Sequence, residues 1–153
     1  MAIISAYPVG TPAAGDYLVG SDITTAGTQI NPTKNFVLSD VVATGLGYTV
    51  YTALISQVAA AAPTAIELKN DTGATMTWTR SGAGTYVVTA SSAIFTPNKT
   101  VVFLNNGNPT SDGLPPKWTR TSNTAITIST KDETAVADDS LLTDASFEIR
   151  IYT

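Results

Sequence analysis

The sequence predicts an all-β chain: an antiparallel β-sandwich or jelly-roll-like barrel, with a short irregular N-terminal arm and one short helix. Three observations carry this. Threonine fills roughly one position in six, and its branched β-carbon favours pleated backbone over helix. From Leu46 onward, short strand-like runs recur with glycine, proline or asparagine clusters between them, the spacing of a sandwich or barrel. Period-two alternation is clear in Thr75-Met76-Thr77-Trp78-Thr79, in Ala125 to Ile128 and in Phe147-Ile149-Ile151, so one face of each strand is apolar and the other polar.

The first 45 residues read differently. Pro8, Gly10, Pro12, Gly15, Gly20, Gly27 and Pro32 interrupt them, leaving short extended pieces at Tyr17 to Val19 and Asn35 to Leu38. Ser39-Asp40 before Val41, Val42 and Ala43, with Gly45 behind, has the pattern of an N-cap, one or two helical turns and a glycine stop. So short a helix is stable only when docked on something else. Strands are then expected near Tyr48 to Gln57, Ala65 to Lys69, Thr75 to Arg80, Thr85 to Ala90, Thr100 to Leu104, Lys117 to Thr121, Ala125 to Thr130 and Phe147 to Tyr152. Val58 to Ala62 is alanine-rich, but Pro63 ends any helix there, so it is expected to be an irregular connection. Ser81-Gly82-Ala83-Gly84 has neither the following helix nor the lysine of a phosphate loop and is expected to be a hairpin turn. The domain division follows: residues 1–45 as a docking or oligomerisation arm, 46–153 as the β-domain.

Composition narrows the chemistry. The chain has no cysteine and no histidine, which excludes a Ser-His-Asp triad, a thiol nucleophile, a zinc site of the usual kind and standard haem or iron-sulfur ligation. With eight Lys and Arg scattered along the chain and a net charge of -4, a nucleic-acid groove is not expected. No run reaches the roughly 18 to 20 apolar residues of a spanning helix, so no membrane insertion is expected. The start Met1 to Val9 lacks the basic flank and the apolar run of a signal peptide. A serine-lysine hydrolase would require a Ser-x-x-Lys, which is missing. Neither a catalytic residue, a cofactor nor a metal ligand is expected.

Two features remain. Asp132, Glu133, Asp138, Asp139, Asp144 and Glu148 are half of the twelve acids, but they lack the spacing of a calcium loop and read as a solvated acidic loop between two strands. Trp78-Thr79-Arg80-Ser81 is echoed by Trp118-Thr119-Arg120-Thr121. Residues i and i+2 share a strand face, so each arginine can lie beside its own indole. That pairing serves as strand-surface packing, or Trp78, Arg80, Trp118 and Arg120 together serve as an aromatic and basic platform for a sugar ring.

Asp16-Tyr17-Leu18-Val19-Gly20-Ser21-Asp22, followed by Thr33-Lys34-Asn35-Phe36-Val37-Leu38-Ser39-Asp40-Val41, resembles the opening of tailed-bacteriophage fibre and structural proteins. The remainder is similar to small virion structural proteins through Tyr51 to Gln57, Trp78-Thr79-Arg80 with Gly84-Thr85-Tyr86, Asn98-Lys99-Thr100, Asp139 to Leu142 and Glu148 to Tyr152. The resemblance implies a non-enzymatic protein located in the virion, a short fibre or capsid decoration that forms a homotrimer and serves host attachment. Its docking contacts to the particle or a neighbouring subunit would come from Tyr17, Leu18, Val19, Phe36, Val37, Leu38, Val41 and Val42. Its partners would be itself, other virion proteins and a host surface glycan. The chain departs from long fibres in having no shaft repeat, heptads or collagen-like tract. The other expectations are a carbohydrate-binding module and, third, a glycan depolymerase built on carboxylates.

Overall fold

A computed structural model describes Ala13, Gly15 to Ser21 and Thr33 to Tyr152. The chain divides into two compact units between Gly47 and Tyr48. In the first, strand β1 (Tyr17–Ser21) pairs antiparallel with β2 (Thr33–Val37), and helix α1 (Leu38–Leu46) follows directly. Asp40 lies in the first turn of α1, where a carboxylate suits the positive end of the helix dipole. The helix is longer than the one or two turns expected. Gly45 stays inside it, and the stop is Gly47, which takes the left-handed φ of 68° that only glycine adopts without strain.

The second unit is a β-sandwich. Its strands are β3 (Tyr48–Ser56), β4 (Thr64–Asn70), β5 (Met76–Gly82), β6 (Thr85–Ala90), β7 (Thr100–Leu104), β8 (Lys117–Arg120), β9 (Ala125–Ser129) and β10 (Ala145–Tyr152). Each of the eight expected strands forms, within a residue or two of its expected bounds. They make two four-stranded antiparallel sheets, ordered β4-β3-β10-β7 and β5-β6-β9-β8. Of the two expected arrangements the sandwich forms: among the described residues no strand of one sheet pairs with a strand of the other. The first and last strands of the unit close it: β10 runs beside β3 from Ala145↔Ile55 to Tyr152↔Tyr48.

Alternation fixes which side chains meet between the sheets. Tyr51, Ala53 and Ile55 of β3, Ala145, Phe147 and Ile149 of β10 and Val102 of β7 face Tyr86, Val88 and Ala90 of β6 and Ile126 and Ile128 of β9. Phe147 sits at the centre, edge-on to Tyr51 at 6.2 Å and to Trp78 at 4.9 Å between ring centroids, the favoured geometry for aromatic pairs. Two connections pass close to other backbone at glycines. A Cβ on Gly84 would meet Thr130 O at 2.4 Å, and one on Gly107 would meet Thr143 O at 1.9 Å; both glycines have positive φ, so no other residue fits either place.

Candidate functional site

The Trp-Thr-Arg echoes lie on β5 and β8, the two edge strands of one sheet, and their Trp and Arg side chains share its inner face. The register places Arg80, Tyr86, Ile128 and Trp118 in one cross-strand row and Trp78, Val88, Ile126 and Arg120 in the next. Each row therefore ends in one indole and one guanidinium. The two indoles stand at opposite edges, three strand spacings or roughly 14 Å apart, so the structure does not bring Trp78, Arg80, Trp118 and Arg120 into one surface. Trp78 is half-buried and directs its indole N–H toward the Tyr51 hydroxyl at 3.4 Å. Trp118 is 37% exposed.

The expected pairing of each arginine with its own indole is corrected by the structure. Arg80 instead donates from Nε and Nη2 to the carboxylate of Asp139, the shortest contact being 2.7 Å. Arg120 donates to Phe95 O at 2.6 Å and to the side chain of Asn123. A guanidinium's fork finds more in an ionic or carbonyl acceptor than in an indole face. Among the described residues the cation that does lie on rings is Arg150, 5.0 Å from the Tyr48 ring centroid and 4.8 Å from that of Phe103.

The acidic run is likewise not simply a solvated loop. Asp139 accepts from Arg80, from Gly84 N–H at 3.0 Å and is 2.9 Å from the Tyr86 hydroxyl. That hydroxyl has a second acceptor within reach, Gln57 Oε1 at 3.0 Å. Buried Gln57 in turn donates to Ala59 O and Ala61 O and accepts from Ser140 N–H, which ties the β3–β4 connection to the one before β10. The Arg80 hydrogen bonds, seconded by those from Gly84 and Tyr86, hold the Asp139 carboxyl below its ordinary pKa against the opposing effect of burial. Burial raises the Tyr86 phenol. Asp132 caps a turn by accepting from Thr134 and Val136, and those bonds, Thr134's hydroxyl first, lower its pKa. Every group in this network is satisfied internally, and it reads as a structural clasp. Among the described residues no three acids gather as a metal site would need.

The outer face of the β4-β3-β10-β7 sheet is different. A groove of about 670 Å³ opens there, lined by Thr52, Phe103, Asn105, Ser146, Glu148 and Arg150 with backbone and side chains beneath them. Thr52 stands opposite Glu148 and Glu148 opposite Phe103. Glu148 Oε1 accepts from Arg150 Nε at 2.6 Å, and that bond raises the Arg150 pKa. Phe103 is 49% exposed. Sequence reasoning named Glu148 as a member of the acidic run, but none of these outward residues as part of a binding surface. Alternation within Thr100 to Leu104 does send Val102 inward and Phe103 outward, but only the pairing of β7 with β10 shows that Phe103 and Arg150 meet.

In the N-terminal unit, Leu18 stands opposite Phe36 on one face of the ribbon, and Tyr17 opposite Val37 with Val19 on the other. Tyr17 is 64% and Val19 73% exposed. Leu18, Phe36 and Val41 are exposed and Val37 and Leu38 half-buried, while Val42 lies on α1 with its side chain outside the described residues. No family, curated protein or solved structure matches this chain.

Proposed function

We propose that this chain is a non-enzymatic structural protein of a tailed-phage particle, a short fibre or surface decoration. In this reading it assembles as a homotrimer, its N-terminal unit docks on the particle or on a neighbouring subunit, and its sandwich faces outward for host attachment. The observation that carries the proposal is the β1–β2 ribbon. Large apolar side chains stand exposed on both of its faces, and a two-stranded ribbon is at best marginally stable alone. Covering Tyr17, Leu18, Val19 and Phe36 would gain roughly 25 cal/mol per Å² of apolar area removed from water. The sandwich supports binding over cleavage: Glu148 is the single carboxylate lining the groove, and Arg150 engages it, whereas glycoside hydrolysis uses two.

The test has two arms. Light scattering on the full chain should give three times the 15.9 kDa chain mass, and Leu18→Asp with Phe36→Asp should reduce it to one. Mass spectrometry of purified particles should detect the protein as a stoichiometric component. A monomeric parent, or particles that lack the protein, overturns the proposal.

A further inference from the structure

The geometry points to the groove on the outer face of the β4-β3-β10-β7 sheet as a binding site for a neutral glycan. This goes beyond the proposed function and does not rest on it, since a free-standing binding module could carry the same groove.

The groove's size comes first. About 670 Å³ falls within the range of small-ligand sites. Its charge comes second. Glu148 and Arg150 are the charged residues that line it, and they neutralise one another at 2.6 Å. A phosphate, a nucleic acid or an acidic polysaccharide would meet the Glu148 carboxylate beside the one cation of the groove and be repelled by it, whereas an uncharged ligand meets both groups as they stand.

The third observation is the mixture of a flat apolar surface with unspent hydrogen-bonding groups. Phe103 leaves half of its surface in solvent even with the Arg150 guanidinium 4.8 Å from its centroid. The guanidinium is also held over Tyr48 at 5.0 Å, so it is fixed from two sides before a ligand arrives, which lowers the entropy lost on binding. Asn105 Oδ1 is used internally, accepting from Gly107 N–H and Ser146 N–H at 2.9 Å each. This orients the amide so that Nδ2 points away from those bonds. Among the described residues Nδ2, the hydroxyls of Thr52 and Ser146 and the second oxygen of Glu148 make no hydrogen bond. Unspent donors and acceptors thus share the groove with an aromatic ring. A sugar has the matching composition: C–H faces that lie on rings, and hydroxyls that both donate and accept.

Strand geometry sets these groups at a regular spacing. Ser146, Glu148 and Arg150 follow at i, i+2 and i+4 along β10, spanning roughly 14 Å, with Thr52 on one flank and Phe103 and Asn105 on the other. An elongated array of this kind suits a chain of sugar units rather than a single one. Protein partners that add a strand use free backbone at a sheet edge. The groups gathered here are side chains over β10, an inner strand of its sheet.

The experiment is isothermal titration of the full chain with neutral hexasaccharides of the gluco, manno and galacto series and with a polysialic acid fragment of equal length. At least one neutral hexasaccharide is expected to bind in the micromolar to millimolar range and the acidic one not to bind. Phe103→Ala should weaken that binding at least about tenfold while the protein still melts cooperatively and only a few degrees lower, since half of the ring lies in solvent. Thr52→Arg, which fills the groove from its other flank, is the second variant and should do the same. Trp118→Ala should leave affinity within about twofold. The inference is overturned if no neutral hexasaccharide binds up to about 10 mM, or if only the acidic fragment binds. Binding that survives both Phe103→Ala and Thr52→Arg, or that is lost with Trp118→Ala, overturns it too. Phe103→Ala that lowers the native mass while leaving glycan affinity intact would make this face a contact between copies and sink the site. Whether the parent chain is a trimer or a component of a particle does not decide whether the groove binds a neutral glycan.

Discussion

Replacing Asp139 with asparagine keeps the shape of the side chain and removes its charge. In the native structure this carboxylate accepts three bonds from Arg80, one from Gly84 N–H, and lies in reach of Tyr86 OH. The asparagine can still accept from Gly84 and Tyr86 through Oδ1, but its NH₂ then takes the place of Oδ2 and faces the Arg80 guanidinium, donor against donor. Hydrogen bonds to charged groups contribute about 1.5 to 3 kcal/mol each, and the side chains of Arg80 and Asp139 are only 23% and 16% exposed, so solvent screens the pair incompletely. The loss expected for Asp139→Asn is about 2 to 3 kcal/mol at pH 7, equivalent to a fall in melting temperature of about 10 to 20 °C for a domain of about 100 residues. The pH dependence separates charge from shape. Because the folded-state pKa of Asp139 is depressed, its contribution is fully present above the unfolded carboxyl pKa of about 3.9 and disappears as pH falls through the lower folded value. Urea denaturation of parent and variant from pH 7 to pH 2.5 should therefore give curves that converge below about pH 4. A difference under about 0.5 kcal/mol at pH 7, or one that stays constant down to pH 2.5, would refute the role assigned to the clasp.

Gly107→Ala should abolish cooperative folding or cost several kcal/mol, because its Cβ would sit 1.9 Å from Thr143 O, whereas Gly73→Ala, with a similar φ of 74° but open space around it, should cost only about 1 kcal/mol; chemical denaturation of the two variants side by side checks the contrast. Trp78→Ala should cost about 3 to 5 kcal/mol, since its ring packs against Phe147 at 4.9 Å, while the partly exposed Trp118 should cost less than half as much on truncation; equal losses by calorimetry would contradict their placement. Removing residues 1–45 should leave a chain with an unchanged β-type circular dichroism spectrum and a single melting transition, because the two core sheets lie beyond Gly47; a truncated chain that is unfolded would show that the N-terminal unit completes the sandwich.

Much of the fold was legible because strands with one buried face write their period into the sequence. Thr75 to Thr79 and Phe147 to Ile151 alternate apolar with polar, and both form strands with that face inward. The helix stop was misread by two residues because Gly45 and Gly47 are both possible ends, and only backbone shows which takes the left-handed conformation. Sheet order left no trace of that kind. Arg80 looks local beside Trp78, yet its partner is Asp139, 59 positions away; a strand's alternation tells which face a side chain is on, not which loop lies over that face. The outer-face groove was missed for the same reason. Phe103 and Arg150 come from strands that become neighbours only when the sheet is assembled.

The duplicated Trp-Thr-Arg sequence is best understood through the edges of a sandwich. Inner strands β6 and β9 fill the layer with Tyr86, Val88, Ile126 and Ile128, all fully buried. At β5 and β8 the layer opens to water, and a side chain there must cover apolar neighbours while reaching a polar partner. An indole and a guanidinium each do this. The two edge strands run antiparallel to each other, so the same tetrapeptide on both places Trp opposite Arg in each row and distributes bulk evenly along both rims. The repetition thus answers a packing need on the inner face of one sheet. The free aromatic and polar groups lie on the outer face of the other, where no core demands them, and that freedom makes Phe103 and its neighbours the residues on which to test binding.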